Sequence, residues 1–199
     1  MTFSESQHYS TMSEDEIRQE YDILARSRKN PEAFGVLYER YFDRIFNYIY
    51  RQTDDEALTA DLCSQTFLTV LKNVERYEFR GVPISAWFYK IAGNEVNKHY
   101  RKQKNRKVFS LEEARVRELI QLENDDFDEE RIQQLLRFMK QLPTDMLEVL
   151  ELRFFEEKDF KEIAFILDIT ESGAKMRTYR ALDKLRTFFK LRVRYDGKE

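Results

Sequence analysis

An all-α chain of two small helical domains is predicted by three features of the sequence. Chain breakers are scarce, with 5 glycines and 3 prolines among 199 residues. Each proline suits a helix start: Pro31 follows Asn30, Pro83 precedes "ISAWF" and Pro143 precedes "TDMLEVL". Apolar residues recur at spacings of three and four, with no alternating strand pattern and no internal repeat. A polar, partly acidic linker at 108–128 separates one helical set at 29–107 from a second at 129–199, and residues 1–28 form an N-terminal extension. With 42% hydrophobic residues, the length suffices for two such domains.

Taken in order, residues 1–13 read as disordered and a short helix is expected from Glu14 to Arg28. Asn30 and Pro31 open a long helix whose buried stripe is Phe34, Leu37, Tyr38, Tyr41, Ile45, Tyr48 and Ile49. "TDDEALTADLCSQTFLTVLKNVERY" takes Thr53 as its N-cap, and the acids in its first turn suit the helix dipole. "EFRGVP" is a turn, and "ISAWFYKIAGNEVNKHYRK" is the next helix. Helical character fades after Lys104. Ser110 with Glu113 then makes a capping box for a short helix through Leu122. From Glu129 the helical segments are "EERIQQLLRFMKQL", "TDMLEVLELRFFE", "FKEIAFIL" and a last helix opening in "ESGAK".

A net charge of -3 and a pI near 5.7 do not announce a nucleic-acid binder. The distribution of charge is more telling. "KHYRKQKNRK" holds six Lys or Arg and no acid, "ENDDFDEE" holds six acids in eight residues, and the segment from Lys175 is basic again. Such blocks suggest basic surfaces with an acidic connector. The lone Cys63 excludes an intrachain disulfide, favours a reducing compartment and reads as a small core residue. No apolar run is long enough to span a bilayer, and the N-terminus lacks the basic start and apolar core of a signal peptide. A cytoplasmic protein without membrane insertion is expected. His8 and His99 are the only histidines, no Cys or carboxylate cluster has metal-ligand spacing, and there is no glycine-rich phosphate loop. Neither a metal, a cofactor nor catalysis is expected.

The stretch "FKEIAFILDITESGAKMRTYRALDKL" reads as a helix-turn-helix. Ala164 is small where a second helix crosses. Asp168 tolerates the left-handed conformation of the turn, and Thr170 caps the following helix. Ala174, Thr178, Ala181, Leu185 and Phe188 form the packing seam. The opposite side carries Ser172, Met176, Tyr179, Arg180 and Asp183, flanked by Lys175 and Arg177. A recognition helix reads base edges with its N-terminal turns while its cations meet phosphates.

An earlier helix has a second face of this kind. Ile84, Phe88, Ile91, Ala92 and Val96 form its apolar side; Lys90, Asn94, Asn97 and Arg101 form the other, bordered by Trp87 and Lys98. Just before it, "RYEFRG" brings Tyr77, Phe79, Arg80 and Gly81 to a turn. Aromatics beside cations and amides suit a single strand, and a flipped base fits a small pocket at a loop. Trp87 lies at the edge of the apolar face, so core packing and base stacking are both open to it.

The order "AFGVLYERYFDRIFNYIYR", "ADLCSQTFLTVLKN", "FRGVPISAWFYKIAGNEVNK" and "LPTDMLEVLELRFFEEKDFKEIAFILDITESGAKMRTYRALDKLR" resembles the extracytoplasmic-function branch of bacterial sigma factors, over about Pro31 to Arg186. The resemblance implies a promoter-specificity subunit of RNA polymerase. Its first domain would bind the clamp of the largest subunit and open the minus-ten element. Its second would dock on the flap of the other large subunit and read the minus-thirty-five element, with the linker near the RNA path. Many such proteins also have an anti-sigma partner. Carried over, Asp61 matches the clamp-binding helix, with Gln65 beside it. Arg80, Gly81, Trp87, Lys90 and Asn94 match the minus-ten loop and helix, and Tyr77, Phe79, Asn97, Lys98 and Arg101 extend that surface. Glu171, Ser172, Lys175, Arg177 and Arg180 match the minus-thirty-five helix, joined by Met176 and Tyr179. Departures are Ser64 and Gln65 where a Gln-Glu pair is frequent, Asp168 for Gly in the turn, Gly93 for a basic residue, and Gly173 and Ala174 for bulkier ones. The alternative is a stand-alone helix-turn-helix regulator with residues 29–107 as a dimerisation or sensing module. The aromatic and basic face around Trp87 argues against it.

Overall fold

The computed structural model describes residues 12–103 and 129–193, and no strand occurs among them. The short helix at Ser110, the acidic run, the linker, the basic residues beyond 103 and the side chain of Phe188 lie outside the described residues. Helix α1 (Glu14–Ser27) starts at a capping box: Ser13 Oγ accepts from Glu16 N at 3.3 Å, and Ser13 N donates back to Glu16 at 2.8 Å. Ser13 therefore belongs to ordered structure and not to the tail with which the sequence groups it.

Asn30 caps a short 3-10 turn (Pro31–Phe34) that leads into α2 (Gly35–Thr53). The expected stripe of α2 is buried except for Tyr38, which is 40% exposed and sets its ring 4.8 Å from that of Phe67. Helix α3 (Glu56–Asn73) is capped by Asp55, whose side chain accepts from Leu58 N at 3.0 Å. This corrects the assignment of the cap to Thr53. Asp54 takes the left-handed conformation (φ 52°) and ends α2, which leaves Thr53 as its last helical residue. The Thr53 hydroxyl is bonded to Ile49 O and to Thr59 Oγ1. A 3-10 turn (Val74–Arg76) and an extended loop follow, with Gly81 at φ 66°, and then α4 (Ile84–Gln103). A side chain at Gly81 would be strained by that φ. At Gly93, where a basic residue is frequent, a Cβ would stand 3.3 Å from the Tyr48 hydroxyl, a tight contact.

Helices α2, α3 and α4 pack around Ile45, Ile49, Val70, Phe88, Ala92 and Val96. Cys63 is fully buried in this core, and burial pushes its thiol up to about 12. In the second half, α5 (Glu129–Met139), α6 (Thr144–Leu150) and the long α8 (Glu171–Val193) share a core of Ile132, Leu135, Met139, Leu147, Leu150 and Ala181. Helix α6 runs on into a π turn (Glu151–Phe155). Helix α7 (Phe160–Leu167) opens with a capping box of Asp159 and Glu162 and closes on left-handed Asp168 (φ 58°), as the turn reading expects. The first core extends beyond α4: Val149, Leu152, Ile163, Ile166 and Ala174 of the second half belong to it, because α7 lies along α4.

Candidate nucleic-acid and polymerase interface

On α3 the buried residues Leu62, Cys63, Thr66, Phe67 and Val70 leave Asp61, Ser64, Gln65 and Leu68 exposed on the other side. Leu68 is 50% exposed, one helical turn beyond Gln65 and two beyond Asp61. The sequence reading missed it. The signal was present, since Leu68 falls off the buried stripe yet lies in line with Asp61 and Gln65.

The loop before α4 is built on aromatics of unequal exposure. Tyr77 is buried, its ring 4.4 Å from Trp87, and burial pushes its phenol up to about 12. Tyr77 thus braces Trp87 from beneath, and Trp87 itself is half-buried against the core. Phe79 is 45% exposed, and Arg80 is exposed and bonded to Glu78 at 3.1 Å. Helix α1 holds this loop. The Tyr21 ring lies 5.6 Å from Phe79 and 6.3 Å from Tyr77. The Arg28 guanidinium donates to Val74 O at 3.2 Å and Tyr77 O at 2.9 Å. Neither Tyr21 nor Arg28 was singled out from the sequence, because the Arg28 contacts span 46 and 49 positions, the Tyr21 ring contacts reach further still, and neither leaves a local pattern. Arg28→Ala should loosen the loop without emptying the core. We expect a stability loss of about 1–2 kcal/mol and, on the minus-ten role that the family resemblance implies for this loop, roughly threefold weaker use of that element with core binding unchanged. Equal losses in core binding and promoter opening would show instead that Arg28 only stabilises the fold.

Along α4, Asn94, Asn97, Lys98 and Arg101 are exposed in one row, with Lys98 3.3 Å from Glu95. Two residues expected on this surface are engaged by the second half. Lys90 Nζ is 3.2 Å from Asp168 and 5.0 Å from the Phe165 ring centre. Gly81 O accepts from Lys161 Nζ at 2.6 Å.

At the start of α8 the Thr170 hydroxyl accepts from Gly173 N at 3.0 Å, the expected cap. Ala174, Thr178 and Ala181 are buried as the seam requires. Glu171, Ser172, Lys175, Met176, Tyr179 and Arg180 are exposed. Lys175 pairs with Glu171 at 3.3 Å and sits 5.6 Å from the Phe160 ring. Arg177 is turned aside to Asp145 of α6 at 3.5 Å, which ties the recognition helix to its own scaffold. Among the described residues no group of His, Cys, Asp and Glu is arranged to hold a metal ion, and no helix is long and apolar enough to cross a membrane.

Fold and surface together describe a helical protein with a helix-turn-helix and a second aromatic and basic face. A family model for Sigma-70 region 2 matches residues 37–106, and one for Sigma-70, region 4 matches residues 132–185. The RNA polymerase sigma factor CarQ of Myxococcus xanthus is 30% identical over 155 residues, covering 78% of this chain and 88% of CarQ. The ECF RNA polymerase sigma factor BldN of Streptomyces coelicolor is 29% identical over 156 residues; these cover 77% of this chain but only 59% of BldN. CnrH, solved with the cytosolic domain of CnrY, has the same fold at a TM-score of 0.60 and 20% identity, covering 86% of this chain and 97% of CnrH. The chain belongs to the RNA polymerase sigma factors, in their extracytoplasmic-function branch, a family of promoter-specificity subunits.

Proposed function

We propose that the chain directs core RNA polymerase to promoters through three surfaces, as a non-catalytic cytoplasmic subunit. Residues 29–107 and 129–199 act as its two working units. The α3 face of Asp61, Gln65 and Leu68 meets the clamp. The loop of Phe79, Arg80 and Gly81, backed by Tyr77 and Trp87, takes a flipped non-template base. Lys90, Asn94, Asn97, Lys98 and Arg101 hold the strand that leads from it. The exposed start of α8, from Glu171 to Arg180, reads the minus-thirty-five element, and its unit also docks on the flap. An anti-sigma protein is a further expected partner.

The observation that carries this reading is the exposed Phe79 on a tethered loop that leads into α4, the helix bearing an exposed row of amides and cations. A stacking ring on the loop that enters a backbone-holding helix suits capture of a single strand. A dimerisation module has no use for it. Transcription with core polymerase over a promoter library, followed by mapping of start sites, tests the reading. Start sites that do not change when the chain is added would overturn it.

A further inference from the structure

Helix α1 lies ahead of both family matches, which begin at 37 and 132, yet it is built into the first core. Its buried face is Glu20, Leu24 and Ser27. Leu24 is fully buried, and so is Glu20, whose Oε1 accepts from Arg40 Nη1 at 2.8 Å and from the Tyr41 hydroxyl. A buried carboxylate held by two donors fixes the rotation of the helix, because a slip of one residue would strand its charge. Tyr21 and Arg28 stand seven positions apart, two turns along one flank of α1, so that rotation sends both to the loop before α4. Arg28 holds the loop by the carbonyls of Val74 and Tyr77. Tyr21 is placed differently, beside the ring of Phe79 at 5.6 Å and tilted 52° to it. The tilt keeps the two rings from stacking on each other, and Phe79 stays 45% exposed. Tyr21 is itself half-buried, and its hydroxyl makes no hydrogen bond among the described residues.

We propose that Tyr21 is a specificity residue for the flipped base: with the base stacked on Phe79, the Tyr21 hydroxyl hydrogen-bonds its edge. The proposal rests on the reading of the Phe79 loop given above. Stacking alone is tolerant of sequence, because every base has a π-face. A preference among bases needs a polar group at the rim of the stacking ring. The Tyr77 hydroxyl is buried, and Arg80 is paired with Glu78, whereas Tyr21 flanks the Phe79 ring with its hydroxyl uncommitted. A phenol both donates and accepts, so it can meet either kind of polar atom on a base edge. Its ring is stiff, and its helix is anchored in the core through Glu20 and Leu24, so little freedom is lost when the contact forms. The N-terminal extension thereby contributes to how the minus-ten element is read, from outside the segment that the region 2 match covers.

The test uses the full chain bound to core polymerase and a short non-template single strand spanning the minus-ten element of a promoter found by start-site mapping. Each position of the strand carries in turn the four bases and an abasic site, and affinity is read by fluorescence anisotropy. The position at which the abasic site weakens binding most is the stacked base. There the unmodified chain should favour one base over the others by about fivefold, as one hydrogen bond allows. Tyr21→Phe removes the hydroxyl and keeps the ring, and should cut that preference to below about twofold. On the abasic strand the two chains should bind alike, since no edge is left to contact. Their thermal melts should coincide. Tyr21→Leu removes the ring as well, and should weaken binding whichever base stands at that position. A Tyr21→Phe chain that keeps the full preference overturns the proposal and leaves Tyr21 a mere brace for Phe79. A loss that Tyr21→Phe shows equally on the abasic strand overturns it too, because the loop has then only loosened. If no position is sensitive to an abasic site, no base is stacked, and the reading of the loop falls together with the inference. A chain that sets start sites and stacks a base, with Tyr21→Phe silent, loses the inference alone.

Discussion

Asp61→Arg should lower core-dependent transcription by at least about a hundredfold while leaving the fold intact. Asp61 is exposed on α3 and has no ion partner among the described residues. Its neighbours along that side, Gln65 and Leu68, are exposed as well. Reversing the charge therefore breaks no internal contact. At a docking surface, a like charge set against a cationic partner costs several kcal/mol, and about 2.7 kcal/mol is already a hundredfold. Leu68→Asp should weaken docking by a different route, through loss of an apolar contact at the centre of the face, and by less. Asp61→Asn should be milder than either, since it removes attraction without adding repulsion. Binding of each variant to core polymerase, with thermal melts as the control for folding, checks the order. Unchanged core binding by Asp61→Arg would remove the residue from the interface.

The helices were legible because their apolar spacing is set locally, over three or four residues. The Asp168 turn and the Thr170 cap were legible for the same reason: both are decided within a few positions. The cap of α3 was missed because Thr53, Asp54 and Asp55 are all competent caps. What separates them is the left-handed backbone at Asp54, and no side-chain pattern announces it. Tyr77 and Trp87 were both assigned to the strand-binding surface, whereas the structure makes one the support of the other. That division depends on how deep each ring sits, which spacing does not fix. The contact of the second half with α2 and α4 was not legible at all. Arg51 and Glu151 are 100 positions apart, and each reads alone as an ordinary charged residue on a helix. Only the folded chain shows that one acid, Glu156, serves both Arg51 and Tyr89.

Lys175 and Arg180 should differ in what they read. Lys175 lies in the first turn or so after the Thr170 cap, nearer the groove floor for a helix entering N-terminus first. Arg180 is more than a turn further on, exposed and without an ion partner among the described residues, where a helix leaving the groove meets a backbone. Arg180→Ala should weaken promoter use about tenfold across all minus-thirty-five sequences and reduce the salt slope by about one phosphate contact. Lys175→Ala should instead relax preference at one or two positions, with a discrimination loss of roughly 1–3 kcal/mol for a base-edge contact. The pairing of Lys175 with Glu171 adds a further expectation. Glu171→Gln frees the ammonium, so it should strengthen binding overall while blurring the same positions that Lys175→Ala blurs. A small promoter library transcribed at two salt concentrations with each variant makes the comparison. If Lys175→Ala and Arg180→Ala lose activity uniformly and with the same salt slope, the helix holds phosphates only. Sequence would then have to be read by Glu171, by Ser172 or through the shape of the DNA.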